Sequence, residues 1–437
     1  MIGIVVSRAD EASTNIGEFL HERADWEVTE DETVDPGAGG GTVRRSGRFE
    51  LRTFDGLHIE LEGAAHPFSD LDALVFASRH SGESGPLLTA HFTGNPGRAD
   101  FGGQPGRLAR AWPAGLARIL PALRDAAPEG YDVGIECTHH GPTDLEVPSM
   151  FVEVGSAEPQ WQDPAAAEAV AKAILSLPAR GGEDRTIVGF GGGHYAPRFE
   201  RIIRETDWAV GHILAEWGLD DIEGDRRPVL EKVFERSGAT RAVIDGDRPE
   251  LATEIESLGY RVVSETWVRE TDSVPLELVN DLEGRLCTVE EGLRFGDRVA
   301  DIDDGVVYAP PSDLLEDLHG IDPAATRRAF EAQTVAFETI ENGNRIQGRV
   351  ALPEADAKDA LIKAIIPVLD SKYDAVERAD ETVVVWERAF DPARARELGV
   401  PEGPAFGQLS RGEPVVVGEE TISPEMVHTE RERRYRL

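Results

Sequence analysis

The chain predicts an α/β fold, a mainly parallel or mixed sheet with helices on both faces, followed by a smaller α+β domain. Short and almost wholly apolar runs recur up to about Thr271, as strands covered on both faces require. The gaps between those runs are long enough for helices. Each run also ends in a polar or glycine-rich turn, the edge at which an open α/β sheet binds ligands. With 437 residues, 40% of them apolar, the chain can fill two or three domains with buried cores.

The elements follow in order. Ile2 to Ser7 reads as a buried first strand, and a helix is expected from about Ser13 to Arg23 with Ser13, Thr14 and Asn15 as cap residues. The glycine-rich stretch 36–41 reads as a surface loop, and Arg44, Arg45 and Arg48 beyond it form a local basic run that is a candidate substrate contact. A strand is expected near Leu57 to Leu61. Ala73 to Ser78 is apolar enough for a central strand and delivers Arg79 and His80 at its end. Val133 to Glu136, Met150 to Val154 and Thr186 to Phe190 are three more strands ending in polar turns. Helices are expected at Leu108 to Ala127, Pro164 to Leu177, Arg198 to Thr206 and Arg227 to Ser237.

The pattern turns irregular and acidic from Thr271 to Gly284, which places a boundary at 275/276. Past it, helices at Pro323 to Thr339 and Ala355 to Leu369, strands at Arg345 to Leu352 and Thr382 to Phe390, and a glycine-punctuated hairpin from Pro404 to Ile422 make the smaller domain. No repeat of fixed period is present, so a solenoid is not expected.

Charge is the second strong signal. The formal net charge is −37, and the only lysines are Lys172, Lys232, Lys358, Lys363 and Lys372. Such a surface suits very high salt, where the Debye length falls to about 3 Å and net charge no longer acts at a distance. A polyanionic partner is therefore not excluded. It would have to be held by local arginines, stacking and shape rather than by counterion release. Two cysteines, Cys137 and Cys287, are too few for a disulfide framework and fit a reducing interior. No stretch approaches twenty apolar residues and the N-terminus lacks the basic lead of a signal peptide, so a cytoplasmic protein without a membrane partner, and a monomer, is expected.

Five of the eleven histidines, His80, His91, His139, His140 and His194, fall at strand ends in segments dense in glycine and hydroxyl residues. With Glu136 and Glu153 they supply enough neutral imidazole and carboxylate for one divalent metal plus a base, or for two metals. Proline at 142 and glycine at 141 place Glu136-x-x-His139-His140 in a loop, unlike the helical pattern of zinc proteases. Glu136 is there a ligand, a base, or a group that orients an imidazole. Gly192 and Gly193 before His194, with Arg198 beyond, are candidates for an anion cradle, and Thr93 and Asn95 for orienting a substrate. A Gly-x-Ser-x-Gly elbow is lacking, which disfavours a serine hydrolase.

Taken together, Ser78-Arg79-His80, Leu88 to Asn95, Gly102-Gly103, Glu136 to Thr143, Phe151 to Ser156 with Trp161, and Gly191 to Arg198 resemble the archaeal and plant type of D-aminoacyl-tRNA deacylase, in that family's order and over roughly residues 1–270. The resemblance implies a phosphorylase/hydrolase-like core in residues 1–275, two Zn²⁺ per subunit, and D-aminoacyl-tRNA as the substrate whose ester is cleaved. Within it, His80, His139 and His194 are expected as metal ligands and Glu136, His140 and Glu153 as catalytic groups. Arg79, His91, Thr93, Asn95, Gly192, Gly193 and Arg198 are expected at the substrate. The chain runs some 160 residues past the family core as an extension, 276–437, and its acidity fits a halophilic archaeal form. Two other readings use the same residues. A zinc amidohydrolase or carboxypeptidase acting on small acyl-amino acids would show no competition from tRNA. A non-catalytic RNA- or nucleotide-binding module would show no turnover.

Overall fold

In chain order the strands of the first part are β1 (Ile2–Ser7), β2 (Glu27–Asp31), β3 (Gly41–Ser46), β4 (Phe49–Phe54), β5 (Ala73–Arg79), β6 (Leu87–His91), β7 (Gly94–Asn95), β8 (Arg107–Leu108), β9 (Asp132–Ile135) and β10 (Ser149–Gly155). After them come β11 (Thr186–Gly191), β12 (Ala209–Leu214), β13 (Arg241–Asp245) and β14 (Arg261–Val262). The helices used below are α1 (Glu11–Arg23), α2 (Pro113–Ala126), α3 (Glu158–Trp161), α4 (Pro164–Ser176), α5 (Pro197–Glu205), α6 (Glu216–Asp220) and α7 (Arg227–Ser237). The computed structural model describes residues 1–178, 185–301 and 305–437 and divides into two units, Met1–Asp272 and Ser273–Leu437.

In the first unit, eight strands form one mixed sheet in the order β2-β3-β4-β1-β5-β10-β6-β9. β1 runs parallel to β4 and β5, β10 parallel to β5, and β6 antiparallel to β10. A second sheet, β12-β11-β13-β14, is parallel throughout. It has helices on both faces. Gly189 of β11 lies so close to α5 that a Cβ there would meet the Phe199 ring at 2.6 Å, while Val188 and Phe190 turn the other way into a core with Val233 and Phe234 of α7.

The large sheet differs from the expectation of two helical faces. α1, α4 and α2 pack side by side on the face that carries Val6, where a Cβ on Gly17 of α1 would touch the Val6 side chain at 3.1 Å. On the opposite face, irregular chain around Ala64, Phe68 and Leu145 packs on Val5, Phe76 and Phe151. The polar groups described below occupy that face, and a helix laid across it would close it.

Several local expectations shift for identifiable reasons. Asp10, not Ser13, caps α1, accepting the Ser13 N–H at 3.0 Å. The strand expected near Leu57 to Leu61 lies earlier, at β4, and His58–Glu60 form a 3₁₀ turn that buries His58. The basic run falls on β3 and the turn after it. Arg45 is held by the buried Glu50 at 2.8 Å and Arg48 stands over the Phe49 ring, so both serve the fold.

In the second unit, antiparallel strands Leu293–Phe295, Ala336–Ile340, Arg345–Leu352 and Val306–Tyr308 form one sheet, and Ala375–Ala379, Thr382–Phe390 and His428–Arg436 another. The helix expected from Pro323 to Thr339 ends at Gln333, and Ala336–Ile340 is a strand. Of the expected hairpin from Pro404, residues Pro404–Ser410 are helical, and the hairpin itself is Val415–Val417 with Glu420–Ile422 around the left-handed Gly418. No described helix is long and apolar enough to cross a membrane.

Candidate active site

Period-two alternation decides which side chains reach the open face of the large sheet. On β10, Phe151 and Glu153 project the same way. Their partners on β6 are His91 and Thr89, and on β5 Phe76 and Ser78. Phe76 and Phe151 stack with centroids 4.6 Å apart, and His91 lies along Phe151 at 5.3 Å. Each of these fully buried rings contributes about 1.5–3 kcal/mol, so the polar cluster rests on a stable apolar floor.

Glu136, one residue beyond β9, is the hub of the cluster. Its fully buried carboxylate accepts from Thr89 Oγ1, from His194 Nε2 at 2.8 Å and from His80 Nδ1 at 3.2 Å, with His139 Nε2 3.6 Å away. Burial alone would raise its pKa, but hydrogen bonds from His194 and His80 hold it well below the usual carboxylate range. Glu153 is lowered for the same reason, its burial being outweighed by His80 and His91, each 3.7 Å from it. The reciprocal effect falls on His80. Burial opposes its charge, yet Glu136 and Glu153 prevail and push it up to about 11.

His91, His139 and His140 have a different environment. Each presents Nδ1 to a nearby backbone carbonyl, of Phe92 at 3.1 Å, Cys137 at 2.8 Å and Gly141 at 2.6 Å. That contact places a proton on Nδ1, and in His139 and His140 it leaves the Nε2 lone pair free, the arrangement of a metal-binding imidazole, whereas His91, although its burial opposes charge, is raised by Glu153. His91 Nε2 is buried with no hydrogen-bond partner. Burial, then the neighbouring imidazole, lowers His139 to about 4 and His140 well below the ordinary value, so both are neutral at pH 7. His140 adopts a left-handed backbone, φ +46, uncommon for a residue other than glycine, and its ring thereby packs within 4.9 Å of both others. One donor atom from each of His91, His139 and His140 lies within 4.8 Å of the other two, and the same holds for His80, Glu136 and His194. Cys137, His139 and His194 make a third such set and His91, Glu136 and Glu153 a fourth, so of the imidazoles expected as ligands His139 and His194 meet in one set and His80 and His194 in another.

Two cavities meet at these rings. The first, about 440 Å³, reaches from Asp10, His58 and Arg79 to Glu153. The second, about 470 Å³, lies between Asn95, Asp221 and Trp217. Phe101, His139, His140 and His194 line both. Of the other expected residues, Arg79 lines the first cavity with its guanidinium 5.0 Å over the Trp161 ring. Thr93 is buried, with its hydroxyl unpartnered. Asn95 lines the second cavity but spends its amide on the Gly102 carbonyl at 2.8 Å, holding the 101–103 turn. Gly192 and Gly193 form the turn that delivers His194. Arg198 lines neither cavity, because Asp245, Glu265 and the Ile244 carbonyl hold it at the second sheet.

Phe101, Trp217, Tyr195 and His212 were not singled out from the sequence, although Tyr195 lies in the segment Gly191 to Arg198. Tyr195 places its hydroxyl 3.0 Å from His80 Nε2. His212 of β12 is fully buried between Thr138 Oγ1 and the Ala109 carbonyl, both at 2.9 Å, and so pins the 137–140 loop to the second sheet. Further ties between the sheets are Cys137 N to the His194 carbonyl at 2.8 Å and Thr138 N to the Ile213 carbonyl at 2.7 Å. An isolated aromatic or histidine carries no spacing signal, which is why these were silent.

Two predictions arise here. Burial lowers His212, like His139, to about 4 from an ordinary 6.5. Between those values the unfolded chain takes up protons that the folded chain refuses, so stability is lost as pH falls from 6.5 to 4, by about 3 kcal/mol per group. His80 acts oppositely, its stabilisation being complete below 6.5 and lost as pH rises through about 11. Tm of the metal-free protein should therefore peak near neutral pH, and a Tm flat from pH 7 to 5 would refute the buried neutral imidazoles. Gly103 has φ +78, and a Cβ there would sit 2.6 Å from Asn95 Nδ2 and 2.7 Å from Thr143. Gly103→Ala should destabilise by about 1–3 kcal/mol, seen as a lower Tm.

The profile of the family described as D-aminoacyl-tRNA deacylase matches residues 67–263, which include every donor above. A D-aminoacyl-tRNA deacylase from Natronomonas pharaonis is 52% identical over 441 aligned residues, covering 100% of both chains. The chain belongs to the D-aminoacyl-tRNA deacylase family. A second deacylase of the family, from Haloarcula marismortui, is 49% identical, again over 100% of both chains. The residues after Asp272 are thus shared with these deacylases. A crystal structure described as a conserved protein of unknown function is 31% identical with a TM-score of 0.56, and the match covers 63% of this chain and 99% of that one.

Proposed function

We propose that the protein hydrolyses the ester of D-aminoacyl-tRNA, releasing tRNA and a D-amino acid, at the wall where its two cavities meet. The observation that carries this reading is that His139, His140 and His194 face both cavities, so an ester held there has room for an acyl group on one side and a ribose on the other. Membership of the deacylase family supplies the substrate. The large mixed sheet is read as the phosphorylase/hydrolase-like core, and residues 1–275 as the catalytic domain.

The donors fit zinc. His91, His139 and His140 are each oriented through Nδ1 by a carbonyl, and His80, Glu136 and His194 form a second set, which together would hold two ions once His80 and His91 give up a proton. Zinc bound there supplies Lewis acidity toward the ester carbonyl and the attacking water. Glu153 is the base. It lines the first cavity, its partners stand at 3.7 Å, and its lowered pKa keeps it ionised at neutral pH. It takes a proton from water as the oxygen attacks the carbonyl carbon, and returns it to the ribose oxygen as that C–O bond breaks. Glu136 lines neither cavity; it holds His80 and His194 by hydrogen bonds and would be a ligand with them once an ion is bound.

The deciding experiment is release of D-tyrosine from D-tyrosyl-tRNA in molar KCl, with L-tyrosyl-tRNA alongside and a chelated sample restored with zinc. D-selective, zinc-restored release is expected. A folded, zinc-loaded protein that releases none refutes the proposal.

A further inference from the structure

Phe101, Tyr195 and Trp217 are the only aromatics among the nine large apolar side chains that stand exposed in the described residues, and all three stand at this site. Phe101 is 70% exposed and Trp217 49%, and both line the second cavity. Their positions are fixed. Phe101 is followed by Gly102 and Gly103, both left-handed, and Gly102 packs so tightly that a Cβ would lie 2.0 Å from the Ile59 carbonyl. The turn before it is clamped to α6, the helix of Trp217, where Asp221 accepts from Arg98 N at 2.8 Å and Arg98 Nε at 2.9 Å. Two rigid, solvent-facing rings on one cavity are costly to leave bare in water.

We propose that the second cavity receives the 3′-terminal adenosine of the tRNA, its base laid against Trp217 and Phe101, and that the aminoacyl group enters the first cavity beside His58 and Phe151. This rests on the deacylase reading. Single-stranded ends are recognised by stacking on aromatic rings, a contact that does not depend on net charge and survives at high salt. The nucleotides preceding the terminal adenosine must leave toward solvent, and the half-exposed Trp217, which lines the second cavity and not the first, marks a way out. The first cavity shares Phe101 at its mouth, but its inner wall is the buried Asp10, His58 and Phe151, which suits a side chain and not a continuing polynucleotide. Asp100 on the wall of the second cavity offers an acceptor for an adenine amino group or a ribose hydroxyl.

The test is a binding cycle with two uncharged tRNA minihelices, one ending in CCA and one shortened to CC, against wild-type protein, Trp217→Ala and Phe101→Ala. Wild type should bind the CCA form about tenfold or more tightly, and in Trp217→Ala the two should bind within about twofold of each other. Phe101→Ala, on an exposed turn, should also narrow the ratio and stands in if Trp217→Ala fails to fold. An unchanged CCA-to-CC ratio in both variants, or no ratio in wild type, overturns the assignment. Catalysis is read separately. A wild type that deacylates without preferring CCA overturns the cavity assignment alone, whereas one that prefers CCA without deacylating keeps the adenosine site and overturns the catalytic reading.

Discussion

Glu153→Gln should lower kcat for D-tyrosyl-tRNA by about 10²–10⁴-fold, the range for loss of a positioned base, with KM changed little. The substitution keeps the shape of the side chain, and Glu153 sits on the apolar floor of β10 with its nearest polar partners at 3.7 Å, so Tm should move far less than the rate. Glu136→Gln is the contrasting variant. It neutralises a buried carboxylate that holds His80, His194 and Thr89, and leaving those donors without their charge partner costs about 3–5 kcal/mol. Rate and Tm should fall together there. A Glu153→Gln enzyme that keeps wild-type kcat would remove Glu153 from the chemistry and leave its ionised state without a catalytic purpose.

The second large effect is metal removal. Chelation should lower the rate by at least about 10³-fold, since several kcal/mol of charge stabilisation are lost, and zinc should restore it. Two ions per chain are expected by metal analysis. His91→Ala should drop one while the second set, at His80, Glu136 and His194, still loads. Loading that second set at pH 7 must also expel the proton that Glu136 and Glu153 hold on His80, so zinc titration in weak buffer should acidify the solution. Full activity after exhaustive chelation would leave the clustered imidazoles as a hydrogen-bonded network only.

The central strands were legible because they bury both faces. Ala73 to Ser78 and Met150 to Val154 have no polar interruption until their ends, and each lies within a residue or two of the observed β5 and β10. The donor set was legible as well, since histidine beside glycine at strand ends is rare outside a site. How the donors divide was not. His139 comes within reach of both His91 and His194, because ring orientation is set by the carbonyls of Phe92, Cys137 and Gly141, which has no trace in spacing. The glycines were read as an anion cradle, but Gly192 carries His194 into place and Arg198 is consumed by Asp245 and Glu265. Alternation also misled once, near His58, where buried apolar neighbours belong to a covering turn rather than to a strand.

The ties between the two sheets have a consequence for how the active state arises. His91 stands on the large sheet, but His139 and His140 lie on the loop that Thr138 and His212 tie to the other sheet, and His194 arrives from that sheet across the contact of Cys137. Both donor triads therefore reach their final geometry only once the two sheets have met. Hydrolytic competence is in this sense a coincidence signal: it reports the docked pair, and a chain with only one sheet formed would have neither triad in place.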